Sequence, residues 1–335
     1  MGLKINRKGQ NDEETVKQVR KLLEEKGRET LELTKKLMLE NEEKLKSVEV
    51  RKALRYFAHQ YWSDLARPTL MSLACEAVGG DCQTVTPIAV PIMLLTGGID
   101  IHDDIIDQST NKDGRLTVFG KFGKNIALLT GDALLFKGLM RLSHALTHIN
   151  GQKVIKVLKI IEKTFGELGD AEALELRFKA RIEVHPEEYL RIVKKKAADV
   201  EAYTCIGAII GNGKKQEIEA LRKYGRVLGM LAIIRDDLID MMDEEELVHR
   251  LRNEVAPLPV LYAAQNSKAK TFIDSAIMKK RMDTRKLIQT VISSNGIDKT
   301  EKKMMALAEE GLSSLKIIKH KKEELQLLTT SMTII

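Results

Sequence analysis

Apolar residues recur at helical spacing along most of the chain. From Glu13 to about Glu49, acids and bases surround Val16, Val19, Leu22 and Leu23, then Leu31, Leu33, Leu37 and Leu39, the repeat of a helix with one solvated face. The spacing continues through residues 50–62. A further helix is predicted from about Pro68, with Gly79 and Gly80 as its stop. Residues 84–99 form an apolar run too short and too interrupted by proline to span a bilayer, and it leads into a helix carrying IHDDIIDQ at 101–108. After the polar loop QSTNKDGR, the stretch FGKNIALLTGDALLFKGLMRL is again apolar and helical. Pro186, Glu187 and Glu188 open a helix over 185–211, acids at its start suiting the macrodipole. Residues 218–246 form another helix, holding IRDDLIDM at 234–241, and 257–335 alternates apolar and Lys/Glu positions in more helices.

Short extended pieces aside, the pattern contains no strand series, domain linker or tandem repeat. The expectation is an all-α protein, one helical bundle over residues 13–335 behind a disordered tail of residues 1–12.

Composition narrows this picture. With 335 residues, 43% hydrophobic, the chain can bury a full core. Aromatics at 4% are few for an all-β fold. The formal charge of +7 is spread among acids, with no basic patch interleaved with aromatics, so small anionic substrates suit it better than nucleic acid. Cys75, Cys82 and Cys205 are odd in number and lack C-x-x-C spacing, as expected of thiols in a reducing compartment. The polar N-terminus has no signal-peptide core, and a soluble, cytoplasmic protein is expected.

The candidate chemistry lies in the two aspartate triples. On a helix, residues i and i+4 share a face about 6 Å apart along the axis. Asp103 and Asp107 therefore stand one above the other with Asp104 beside them, and Asp236, Asp237 and Asp240 repeat the spacing. Three carboxylates crowded into an apolar helix need a cation to offset repulsion and desolvation. Oxygen-only ligands suit Mg²⁺ rather than zinc. Two such helices facing each other could hold Mg²⁺ ions around one diphosphate, with all six aspartates as candidate metal ligands.

Taken together, these motifs resemble the trans-isoprenyl diphosphate synthases. HDDIID with GKFGKNIALLTGDALL is similar to that family's first aspartate-rich region, IIRDDLID to its second, Arg67 and Pro68 to the end of its GGKRxRP motif, and KKAADVEAYTCIGAIIG to its lysine-bearing helix. The order matches over roughly residues 30–330. The resemblance implies an all-α bundle around a central cavity, usually a homodimer, which binds three Mg²⁺ ions and condenses an allylic diphosphate with isopentenyl diphosphate. It also implies that Asp103, Asp104, Asp107, Asp236, Asp240 and Lys195 serve catalysis, and that Arg67, Lys112 and Lys195 bind substrate. Lys194 and Lys196 are expected to be solvated. Ile99 and Gly98, four and five residues before the first aspartate, fall where the family sets its pocket floor; with no Phe or Tyr there, an open pocket for a C20 or longer chain is expected.

The acceptor side departs from the family pattern. Asp64 replaces a lysine, Asp113 the second loop arginine, Thr96 a frequent His or Gln, Ile233 a Gln, and Asp199 an apolar residue; Arg250, Arg252 and Asn253 offer no clear match to a later lysine. Arg51, Lys52, Arg55 and Arg115 are candidate substitutes, and Asp199 could pair with Lys195. The leading expectation is a Mg²⁺-dependent synthase of linear polyprenyl diphosphates. A related enzyme that ionises an allylic diphosphate but uses another acceptor, cyclises or hydrolyses it, and a non-catalytic partner subunit, are the alternatives.

Overall fold

The structure, a computed structural model, describes residues 10–112, 114–279 and 281–334. The described residues are helical nearly throughout. In chain order the helices are α1 (Gln10–Leu39), α2 (Val48–Tyr56), α3 (Ala66–Ala77), α4 (Thr86–Ile106), α5 (Val118–Phe122), α6 (Lys124–Leu146), α7 (Gly151–Phe178) and α8 (Pro186–Lys196). There follow α9 (Ala198–Ile210), α10 (Lys215–Met242), α11 (Glu244–Asn253), α12 (Leu258–Ala263), α13 (Ser267–Ile277), α14 (Thr284–Ser293), α15 (Gly296–Ser314) and α16 (Lys322–Ser331). The extended pieces among them are β1 (Asn111–Lys112) and β2 (Arg115–Leu116), an antiparallel pair inside the polar loop. The all-α class expected from the pattern is the class observed.

Contacts divide the chain into two compact units, with boundaries inside α1, α7 and α9 and in the loop between α9 and α10. One comprises Lys21–Leu158 with Ile206–Gly213; the other comprises Lys159–Cys205 and Lys214–Ile335, with the N-terminal residues up to Arg20. The tail expected over 1–12 falls mostly outside the described residues, and α1 already runs from Gln10.

In the first unit α4 packs along α6. Pro87 opens α4 where its missing N–H costs nothing, and Leu94, Leu95 and Ile101 are buried. Full burial of each such side chain contributes roughly 1.5–3 kcal/mol. Glycines set the spacing: a Cβ on Gly98 would meet the Gly131 carbonyl at 2.8 Å, and one on Gly138 would meet Leu95 at 2.7 Å.

In the second unit α10 packs on α15 and α8 around Leu231, Ile234, Leu238, Leu258, Leu261 and Leu307. A buried ion network ties α10 to α7 and α9: Arg226 binds Glu201 and lies 2.6 Å from Glu167, while Lys163 lies 3.1 Å from Glu201. The single helix expected over 185–211 breaks at Ala197, between α8 and α9.

Candidate active site

The first aspartate triple lies at the C-terminal end of α4, where Gln108 takes a positive φ of 58° and turns the chain out of the helix. Asp103 and Asp107 offer carboxylate oxygens within 4.8 Å of one another. Asp104 is buried behind them, its side chain 3% exposed. The β1–β2 hairpin, closed through Gly114 at φ 70°, folds the chain back and brings Lys112 Nζ to 2.9 Å from Asp104 and 4.0 Å from Asp103. Although burial opposes its charge, the Asp104 and Asp103 carboxylates hold the Lys112 ammonium well above its ordinary range. Asp113 lies outside the described residues.

The second triple lies near the end of α10 and is built differently. Asp237 is completely buried. It accepts hydrogen bonds from the Tyr189 hydroxyl at 2.8 and 2.9 Å, from Arg250 Nη2 at 2.8 Å and from the Leu258 N–H at 3.1 Å. These partners engage both carboxylate oxygens of Asp237, one of the six aspartates expected to face a metal. Arg250 also donates to Asp240 at 2.6 Å and pairs with Glu254 at 2.8 Å. It is delivered by α11, whose first turn Asp243 caps through the N–H groups of Glu245 and Glu246. Asp236, by contrast, is exposed, and Asp240 is half-buried.

Three adjacent lysines end α8. Lys194 is exposed as expected. Lys195 pairs with Asp170 at 2.6 Å, a partner on α7 rather than the anticipated Asp199. Lys196, expected to be solvated, is only partly exposed: it lies 3.0 Å from Glu172 and also binds Glu175, both on α7.

On the acceptor side Asp64 has a local structural task. Its Oδ1 accepts the N–H groups of Ala66 and Arg67 at 2.9 and 3.2 Å, covering exposed donors at the start of α3, and its Oδ2 lies 2.8 Å from the Arg67 guanidinium. Asp100, on α4, approaches the same guanidinium at 3.4 Å and accepts the Trp62 indole N–H at 3.1 Å. Of the suggested substitute cations, Arg55 is bound to Glu42 at 2.7 Å and Arg115 donates to the Gln60 carbonyl at 3.4 Å. Thr96 is buried with its hydroxyl on the Ile92 carbonyl.

Gly98, expected at a pocket floor, lies against a neighbouring helix. Its Cα faces Gly131 and Leu135 of α6, both within 2.8 Å of where a Cβ would stand, so this glycine serves helix contact. A Cβ on neighbouring Gly97 would meet Phe57 at 3.1 Å, and Ile99 is half-buried. Asp100, Tyr189 and Arg250 were not singled out as site residues from sequence with these partners. Their signals are long-range, with 33, 48 and 13 positions separating them from Arg67 and Asp237 respectively.

The fold is all-helical, and each unit carries one carboxylate triple with a basic side chain against it. The family model described as polyprenyl synthetase matches residues 49–294. The chain belongs to that family. It is 35% identical over 205 residues to a geranylgeranyl diphosphate synthase of Methanosarcina mazei, covering 61% of this chain and 62% of that relative's length. It is 35% identical over 181 residues to a short chain isoprenyl diphosphate synthase of Methanothermobacter thermautotrophicus, covering 54% of this chain and 55% of the relative. The crystal structure of geranylgeranyl pyrophosphate synthetase from Pyrococcus horikoshii superposes with a TM-score of 0.84 at 26% identity, covering 95% of this chain and 98% of that one.

Proposed function

We propose that this chain is a Mg²⁺-dependent trans-prenyltransferase that joins an allylic diphosphate to isopentenyl diphosphate and makes a linear product of C20 or longer. The observation that carries the reading is the pair Asp103 and Asp107, with oxygens within 4.8 Å of one another beside Lys112, in a chain of the polyprenyl synthetase family. The product length rests on the relatives named as geranylgeranyl diphosphate synthases.

Asp103, Asp107, Asp236 and Asp240 would hold the ions, three of them when diphosphate is bound. Bound Mg²⁺ supplies Lewis-acid charge that stabilises the departing diphosphate. Lys112 and Lys195 bind and orient the allylic diphosphate, each exchanging a carboxylate partner for phosphate oxygens. Asp104 and Asp237 position the cations beside them, Lys112 and Arg250. Arg67 takes the acceptor diphosphate, so that the acceptor double bond meets the allylic carbon as its bond to oxygen breaks, and the proton then lost from the acceptor passes to the released diphosphate.

A homodimer and a cytoplasmic setting belong to the same proposal. The apolar side chains Leu129, Phe136 and Met140 recur along α6, with Phe136 69% and Met140 72% exposed, a surface that suits a second copy. No helix among the described residues is long and apolar enough to cross a membrane.

The test is a Mg²⁺ assay with labelled isopentenyl diphosphate and, separately, dimethylallyl, geranyl, farnesyl and geranylgeranyl diphosphates, with products resolved by length. Labelled polyprenyl products of C20 or more are expected. Diphosphate release without incorporated label would replace this reading with that of an enzyme using another acceptor.

A further inference from the structure

A basic side chain that receives a second anion must release what it already holds. Arg67 is held by two carboxylates at once. Its Nη1 lies 2.8 Å from Asp64, while Nη1 and Nη2 reach Asp100 at 3.5 and 3.4 Å. Both acids are fixed from other directions, Asp64 by the N–H groups that open α3 and Asp100 by the Trp62 indole at 3.1 Å. The cluster sits at the boundary with solvent, with side-chain exposures of 27% for Arg67, 14% for Asp64 and 31% for Asp100. Asp100 also stands about one helical turn before Asp103 on α4.

We propose that Asp64 and Asp100 form a carboxylate latch on Arg67 that sets the affinity for the anionic acceptor. Asp64 is the permanent partner, short in contact and committed to the start of α3. Asp100 is the exchangeable one, longer in contact and more exposed. An acceptor diphosphate reaches Arg67 by displacing Asp100, and the repulsion between this carboxylate and the incoming anion makes acceptor binding weak and strongly salt-dependent. The latch thus discriminates between the two substrates: it acts on the acceptor and leaves the allylic diphosphate, held elsewhere, untouched. This inference rests on the reading of the chain as an elongating prenyltransferase with Arg67 on the acceptor.

The experiment is steady-state kinetics of wild type, Asp100→Asn and Asp64→Asn with labelled isopentenyl diphosphate at saturating allylic substrate. Both variants keep an oxygen for their N–H donors. Asp100→Asn is expected to lower the KM for isopentenyl diphosphate roughly tenfold, the scale of one charge-assisted hydrogen bond. The KM for the allylic substrate and the thermal midpoint stay as in wild type. Asp64→Asn moves the acceptor KM in the same direction. An acceptor KM that is unchanged or higher in both, with wild type elongating normally, overturns the latch and leaves the proposed function standing. If wild type incorporates no label, the function reading fails instead. The latch is then decided by calorimetric titration of inorganic pyrophosphate: tighter binding to Asp100→Asn that disappears in the Arg67→Met/Asp100→Asn double variant supports it, and equal binding overturns it.

Discussion

Nη2 of Arg250 lies 2.8 Å from Oδ1 of Asp237, a carboxylate with no exposed surface. A buried acid of this kind is tolerated because its charge is answered on the spot by the guanidinium, a tyrosine hydroxyl and a backbone N–H. Removing the guanidinium strands the charge. Arg250→Met is expected to cost about 3–5 kcal/mol in urea unfolding. A loss below about 1 kcal/mol would mean that Asp237 does not depend on Arg250.

The aspartates with room for a metal should behave differently from the buried ones. Asp103→Asn and Asp236→Asn are expected to lower kcat by on the order of 10²–10³ at saturating Mg²⁺, with little change in thermal midpoint. Chelation of Mg²⁺ should abolish turnover. Midpoints that fall as far as that of Arg250→Met would show these two residues to be structural.

Gly98 offers a test of what glycine does on α4. The incoming Cβ of Gly98→Ala would stand 2.8 Å from the Gly131 carbonyl, and backbone cannot swing aside. A destabilisation of about 1–3 kcal/mol is expected, with the product length of the remaining active enzyme unchanged. A stable variant with a shorter product would support an open pocket at Gly98 instead.

The network around Arg226 predicts an acid limb in the stability profile. Burial opposes the Glu201 charge, but hydrogen bonds and charge from Arg226 prevail and hold it below the ordinary value of 4.5; Glu167 is held down in the same way. For a carboxylate depressed on folding, the contribution is complete above its unfolded pKa and is lost as pH falls through the folded one. Wild-type stability should therefore decline as pH drops below about 4.5. In Arg226→Met, which leaves buried acids unpaired, that dependence should flatten or reverse while stability at neutral pH falls. Parallel profiles for the two proteins would remove Arg226 as the cause.

The exposed side chains of α6 make a further prediction. Phe136→Glu with Met140→Glu is expected to convert a dimer to a monomer in light scattering, with the far-ultraviolet helical signal unchanged. A wild type that is already monomeric would end the proposal of a second copy on this face.

The periodicity of the chain by itself determined the all-α class, the helices that carry both aspartate triples and the absence of a strand series, because these follow from spacing within one or two helical turns. Asp103 and Asp107 were legible for the same reason: i and i+4 share a face whatever the rest of the molecule does. Only the tertiary structure decided which acids are compensated. Asp104 and Asp103, or Asp236 and Asp237, are equivalent as letters in a motif. They differ because α4 and α10 each turn one of them toward the interior, where Lys112 and Arg250 arrive from later in the chain. Gly98 and Asp64 teach the same lesson. A glycine near a pocket floor and an acid in place of a lysine each admit several readings from sequence, and the choice between them lay in Gly131 across the helix pair and in the N–H groups that open α3.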